Sequence, residues 1–128
     1  MYDPIARNRQ IVMESVDRLM DGLASDAKYE RLVRLWTSNL IKVVHDDIET
    51  FTDNFQTIHM SFANRLELNA MMYVMVHELT HIHLQSVAHD TRFVSELDKL
   101  HTIAIELGLC DAVRKDDLYA NKTIDSYE

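Results

Sequence analysis

Met71-Met72-Tyr73-Val74-Met75-Val76-His77-Glu78-Leu79-Thr80-His81-Ile82 is an apolar run that ends in an H-E-x-x-H pattern, and its reading decides the rest of the chain. Apart from Gly22, residues 5 to 107 contain no Pro or Gly, so the run reads as a buried helix. On a helix, residues four apart share a face, roughly 40° apart around the axis and about 6 Å apart along it. Two imidazoles at that spacing, His77 and His81, can point at one metal ion. Glu78 then projects to the side, near the metal and not on it. That is the layout of a zinc hydrolase: two ligands, one general base and one position left for water. With seven His and eight Glu in 128 residues, shuffling yields the pentapeptide in roughly one sequence in forty. The pattern alone is therefore moderately specific, and the apolar helix around it strengthens the inference. The competing interpretation is a helix whose two histidines face solvent or satisfy each other.

A catalytic zinc usually keeps three protein ligands. His89 is the best third candidate. It lies eight residues after His81, beyond the expected helix end, and a turn over about 85–88 would return it to the face of His77 and His81. Asp90 is the runner-up. Glu96 and Glu106 follow if the next helix lies alongside. Asp90 or Thr91 can cap that helix, and Phe93 would pack its first turn into the core. His83 points to nearly the opposite face from His81. His45, His59 and His101 have no metal spacing with one another. Tyr73, one turn before His77, is a candidate oxyanion donor, with burial against the core as the plainer alternative.

The segment from Met71 to Ile82, followed by His89-Asp90-Thr91-Arg92-Phe93, resembles the WLM metallopeptidase family, itself similar to the SprT and Spartan peptidases. More narrowly, it looks like the compact WLM-like proteins encoded by large DNA viruses. Those carry an apolar lead-in, H-E-L-x-H, a seven-residue spacer, then H-x-x-x-F and a helix ending near a Gly. Here that helix would run to Glu106-Leu107-Gly108-Leu109. Cellular members usually have a shorter spacer, by about two residues. The likeness covers about residues 57–110 and is strongest over 71–93. It implies a zinc metalloendopeptidase, with His77, His81 and His89 holding Zn2+ and Glu78 as catalytic acid/base beside a zinc-activated water. All four positions are intact, which argues against a dead enzyme. The alternative is a zinc-stabilised structural or virion-associated binding protein, and the intact Glu78 favours the enzyme.

Composition bounds the partners. Cellular relatives that digest DNA–protein crosslinks carry basic DNA-binding segments. This chain has 21 acidic and 13 basic residues and a net charge of −8, so no strong nucleic-acid binding is expected. Arg7, Arg9, Arg18, Lys28, Arg31 and Arg34 read as a solvated helix face. The single cysteine, Cys110, allows no internal disulfide and suggests core filler in an intracellular setting, cytoplasm or nucleus, or an association with a virion. The charged first 25 residues argue against secretion and a membrane span. The expected partner is a protein or peptide substrate. A second protein or a virion component could help to position it.

The expected fold is mostly α (α+β), a minimal zincin-like single domain over 1–114 with about four helices. Residues 115–128 read as a polar tail, loose or docked on a partner. One helix starts at Pro4 and frays at Gly22. A second runs over about 26–45, on a stripe that includes Trp36, Leu40, Val43 and Val44. The stretch 48–54 is undecided. Residues 57–62 alternate and read as a short strand, either an edge strand or half of a β-hairpin with 66–68 across Ala63-Asn64-Arg65. Asn69 would cap the motif helix, 70–86. A last helix spans 91–107 and ends at Gly108, with Phe93, Val94, Leu97, Leu100, Ile103, Ala104 and Leu107 inward. An extended substrate could pair with the strand between Ile58 and Phe62.

Overall fold

Helix α1 spans Pro4–Leu23 in a computed structural model that describes residues 3–63 and 67–113. Asp3 caps it by accepting from the Ile5 and Ala6 N–H groups, and Pro4 fills the first turn, where its missing N–H costs nothing. Val12, Val16, Leu19, Met20 and Leu23 form the buried stripe. The helix continues through Gly22 rather than fraying there. A Cβ on Gly22 would lie 2.7 Å from Leu107 Cδ1, so this glycine admits a close approach by the far end of the chain.

The second helix is shorter than expected. After a 3-10 turn over Ala27–Tyr29, α2 covers only Glu30–Thr37. Asn39 takes a left-handed φ of 58° and stops it. The Asn39 N–H donates to Trp36 O at 3.0 Å and the Leu40 N–H to Leu35 O at 2.9 Å, the paired bonds of a Schellman ending. The chain then forms strand β1, Lys42–His45. Ile41 and Val43 are buried while Leu40 and Val44 are 53% and 39% exposed, so the side chains alternate with period two. The helical spacing of Leu40, Val43 and Val44 is coincidental. Trp36 Nε1 donates to Asp17 at 2.7 Å and ties α2 to α1.

Strand β2, Phe51–Asp53, falls in the undecided stretch. Strand β3, Thr57–Met60, matches the expected strand. The sheet order is β1-β3-β2, with β1 parallel to β3 and β2 antiparallel to it. A hairpin therefore precedes the motif helix, but its other half is β2. Leu68 belongs to the following helix, and Asn64, Arg65 and Leu66 lie outside the described residues. β3 is the central strand, not an edge. Both of its flanks are paired at Ile58 and His59, so no substrate can add a strand there. Among the described residues, the edge nearer the motif helix is β2.

Helix α3, Leu68–Leu84, is apolar nearly all round, and every residue from Ala70 to Ile82 is buried. Such a helix must sit at the centre, and it contacts α1, α2, β2, β3 and helix α4, Thr91–Glu106. Met71, Met75, Leu79 and Ile82 are fully buried, each contributing about 1.5–3 kcal/mol by leaving water. The N-cap position is Glu67. Asn69 instead accepts from the Asp111 N–H at 3.1 Å and holds the chain after α4. Asp90 caps α4 through the Phe93 N–H at 3.0 Å, and Gly108, at φ 74°, ends it in a second Schellman arrangement. Val94, expected inward, is 47% exposed. Among the described residues no helix is long and apolar enough to cross a membrane. The expected tail, 115–128, lies outside the described residues.

Candidate metal centre

Two features of α3 aim its histidines. The i, i+4 spacing puts His77 and His81 on one face, with ring centroids 5.0 Å apart. The helix then ends at once. Gln85 adopts a left-handed φ of 52°, and the Ser86 N–H bonds back to His81 O at 3.3 Å. Arg31 Nη1 donates to Ile82 O at 3.0 Å, placing a cation at the carbonyl end of the helix, where the macrodipole favours it. The reversed chain carries His89 back. Its Nε2 lies 3.1 Å from His81 Nε2, and its ring is 5.2 Å from that of His77.

One ligand atom from each of His77, His81 and His89 fits within 4.8 Å of the others. Nitrogens sharing a tetrahedral zinc at about 2.0–2.1 Å would be roughly 3.4 Å apart, close to the spacing of the His81 and His89 pair. His81 Nδ1 is 2.8 Å from Ser86 O. A proton on Nδ1 would donate to that carbonyl and leave Nε2 as the electron pair facing His89, the outer support usual for ligating histidines. Phe93 packs against all three imidazoles, at 5.0, 4.5 and 4.9 Å from His77, His81 and His89. The donor set suits a borderline metal such as zinc, and a tetrahedral ion held by three nitrogens would have a fourth position for a non-protein ligand.

Glu78 lies beside this cluster with no exposed surface. Its Oε2 is 3.6 Å from His77 Nε2. Its Oε1 accepts a hydrogen bond from Thr52 Oγ1 at 2.8 Å, across from β2. Thr52, Ser86 and Phe93 complete the site. Only Phe93 drew attention in the sequence, as core and as the last residue of the H-x-x-x-F pattern. Nothing at position 52 signals a contact with a residue 26 positions away, because strand pairing alone creates it.

The other candidates go elsewhere. Asp90 is engaged as the α4 cap, and Glu106 is exposed. Glu96 faces away from the histidine cluster, holding Lys28 by a hydrogen-bonded ion pair and lying 3.4 Å from the Tyr29 hydroxyl. His83 stacks near Tyr29, at 4.9 Å, on that same opposite side. Tyr73 packs edge-on against His101 of α4, at 4.8 Å. His45 Nδ1 accepts from the Phe62 N–H at 3.0 Å, and His59 stacks on Phe51 at 4.2 Å. Cys110 is buried, which raises its thiol pKa. Within the basic set, Arg9 donates to Val43 O and Arg31 to Ile82 O, so these two serve the fold.

The Glu96 pair gives a pH prediction. Burial pushes the Glu96 carboxyl up, but Lys28, through its hydrogen bond and charge, together with His83 and Lys99, holds it below 4.5. The Glu96 hydrogen bond likewise holds Lys28 above 10.5. A depressed acid stabilises the fold above its unfolded pKa and loses that effect as pH falls through the folded value. A raised base stabilises below its unfolded pKa and loses the effect as pH rises through the folded value. Urea unfolding should therefore find Lys28→Met weaker than wild type near neutrality. The gap should close below pH 4.5 and again above pH 10.5. A constant gap at every pH would mean that the stem of Lys28, not its charge, matters.

No protein-family model, curated protein or solved structure matches this chain.

Proposed function

We propose that this chain is a zinc-dependent peptidase of the minimal WLM type, with His77, His81 and His89 as ligands and Glu78 as general acid/base. The observation that carries the proposal is the convergence of three imidazoles within 4.8 Å beside a buried carboxyl group. Convergence of His89 with the pentapeptide separates this arrangement from a helix with two incidental histidines. Zinc held there would supply Lewis acidity toward a water and a substrate carbonyl.

The chain's own residues do the rest. The Thr52 hydroxyl holds Glu78 Oε1, which leaves Oε2 on the side of His77. Glu78 takes a proton from the attacking water and returns it to the leaving amine. Ser86 O orients His81, and Phe93 fixes the three rings against one another. Among the described residues β2 is an edge strand, and its outer side would offer main-chain groups to an extended polypeptide, giving affinity with little sequence preference. Unfolded protein segments are thus the substrate class, in the intracellular setting that the single cysteine suggests.

The test is metal content and cleavage together. Purified protein should hold one zinc per chain and cut a denatured protein such as reduced casein. A chelator should stop cleavage, and added zinc should restore it. Protein that holds zinc yet cuts nothing, itself included, would leave the zinc-stabilised binding role as the better account.

A further inference from the structure

The turn between β2 and β3 carries the residue least suited to its backbone. Gln56 N–H donates to Asp53 O at 3.0 Å and closes it. The two central residues, Asn54 and Phe55, both have left-handed φ, at 51° and 54°. Hairpin turns with two such residues favour Asn-Gly. Asn54 fits that preference. Phe55 stands where Gly belongs, and a bulky side chain at positive φ is an outlier that other contacts must hold in place.

What the ring does there is visible. Phe55 packs against the edge of the core and, with Phe51, Thr52, His81 and Val87, lines a cavity of about 180 Å³. An apolar cavity of roughly 150 Å³ can hold a benzene molecule, so one large side chain fits here. Two of the lining residues belong to the metal centre. His81 is a ligand candidate, and the Thr52 hydroxyl holds Glu78. The remaining three walls are Phe51, Phe55 and Val87, and Val87 is 75% exposed. Among the described residues no Asp, Glu, Lys or Arg lines the cavity, so a charged occupant would lose its hydration without compensation from them.

We infer that this cavity binds one large apolar side chain of an extended polypeptide, beside the bond to be cut, and that Phe55 is its specificity-determining wall. The inference rests on the peptidase reading for the word "cut" but not for the word "binds". A peptide carbonyl placed between His81 and Glu78 has its neighbouring side chain within about one residue spacing, roughly 3.8 Å along the chain. A glycine at position 55 would relieve the backbone and remove the wall.

Fluorescein-labelled octapeptides of alanine, with one central Leu, Gly or Glu, test this by anisotropy. They are titrated into zinc-supplemented Glu78→Gln protein, with and without a second change at Phe55. The Leu peptide should bind at least about tenfold tighter than the Gly or Glu peptide, as apolar pockets typically discriminate. Phe55→Gly should bring that ratio close to one while lowering the melting temperature by no more than about 3 °C, because Gly suits the turn. Phe55→Asn, which also tolerates the left-handed backbone, should do the same and guards against a misfolded Gly variant. Absence of binding, equal binding of the three peptides, or a Leu preference that survives both substitutions overturns the inference. Cleavage of casein by wild type without any apolar preference sinks the cavity's role and leaves the peptidase standing. Phe55-dependent Leu binding by a chain that holds no zinc and cuts nothing does the reverse.

Discussion

Glu78→Gln is expected to lower turnover on an unfolded protein by about 10²–10⁴-fold, the range that a positioned general base supplies, with bound zinc unchanged. The substitution keeps the shape of the side chain and an oxygen at Oε1. Thr52 Oγ1, 2.8 Å away, can therefore still donate to it. What disappears is the basicity. The site also predicts the sign of the stability change. Glu78 has no exposed surface, and burying a carboxyl group weighs against folding more heavily than burying an amide that keeps its hydrogen bond. The melting temperature should hold or rise as activity falls, the trade common where a catalytic group is placed against the preference of the fold. Calorimetry, zinc analysis and a cleavage assay on one preparation check all three. Wild-type turnover in this variant would remove Glu78 from the mechanism. Loss of zinc together with turnover would make its role structural.

The histidine cluster was legible in the sequence for a physical reason. His77, Glu78 and His81 sit on one helix, and helical geometry converts spacing into direction without help from the rest of the fold. His89 was legible because Asp90 marks a helix start, which forces a turn between two helices that pack on each other. The sheet was harder to read. Asn39 ends α2 in the conformation that Gly usually provides, so the stop was invisible without the backbone angle. Leu40, Val43 and Val44 then match a helical stripe by accident, although Leu40, just before β1, and Val44, within it, are both exposed. β2 has only three residues, too few for a period to show, and exists because β3 pairs with it. Thr52 and the Phe55 cavity depend on that pairing, so they could not be found from local pattern. β3 proved central for the same reason: strand order is a nonlocal property that alternation within one strand does not encode.

Zinc at about 1,000 times its Kd should raise the melting temperature of the wild-type chain by roughly 10–15 °C, and that of His89→Ala hardly at all. Binding to the folded state alone adds about 4 kcal/mol at that concentration, and each kcal/mol is worth roughly 3–4 °C in a domain of this size. His89 is the discriminating position because it is half-buried in the connection between α3 and α4, so removing its ring disturbs little core. His81→Ala is a poorer test. His81 is only 3% exposed and its Nδ1 lies 2.8 Å from Ser86 O, so its loss would loosen the end of α3 even without metal. The measurement is the difference between scans with zinc and with chelator, which cancels such structural effects. Asp90→Ala is the control. It should lose about 1 kcal/mol in both scans, because Asp90 caps α4 through the Phe93 N–H, and it should keep the whole zinc shift. A full shift in His89→Ala with none in Asp90→Ala would transfer the third ligand to Asp90, and the turn after Gln85 would then have to rearrange when metal binds.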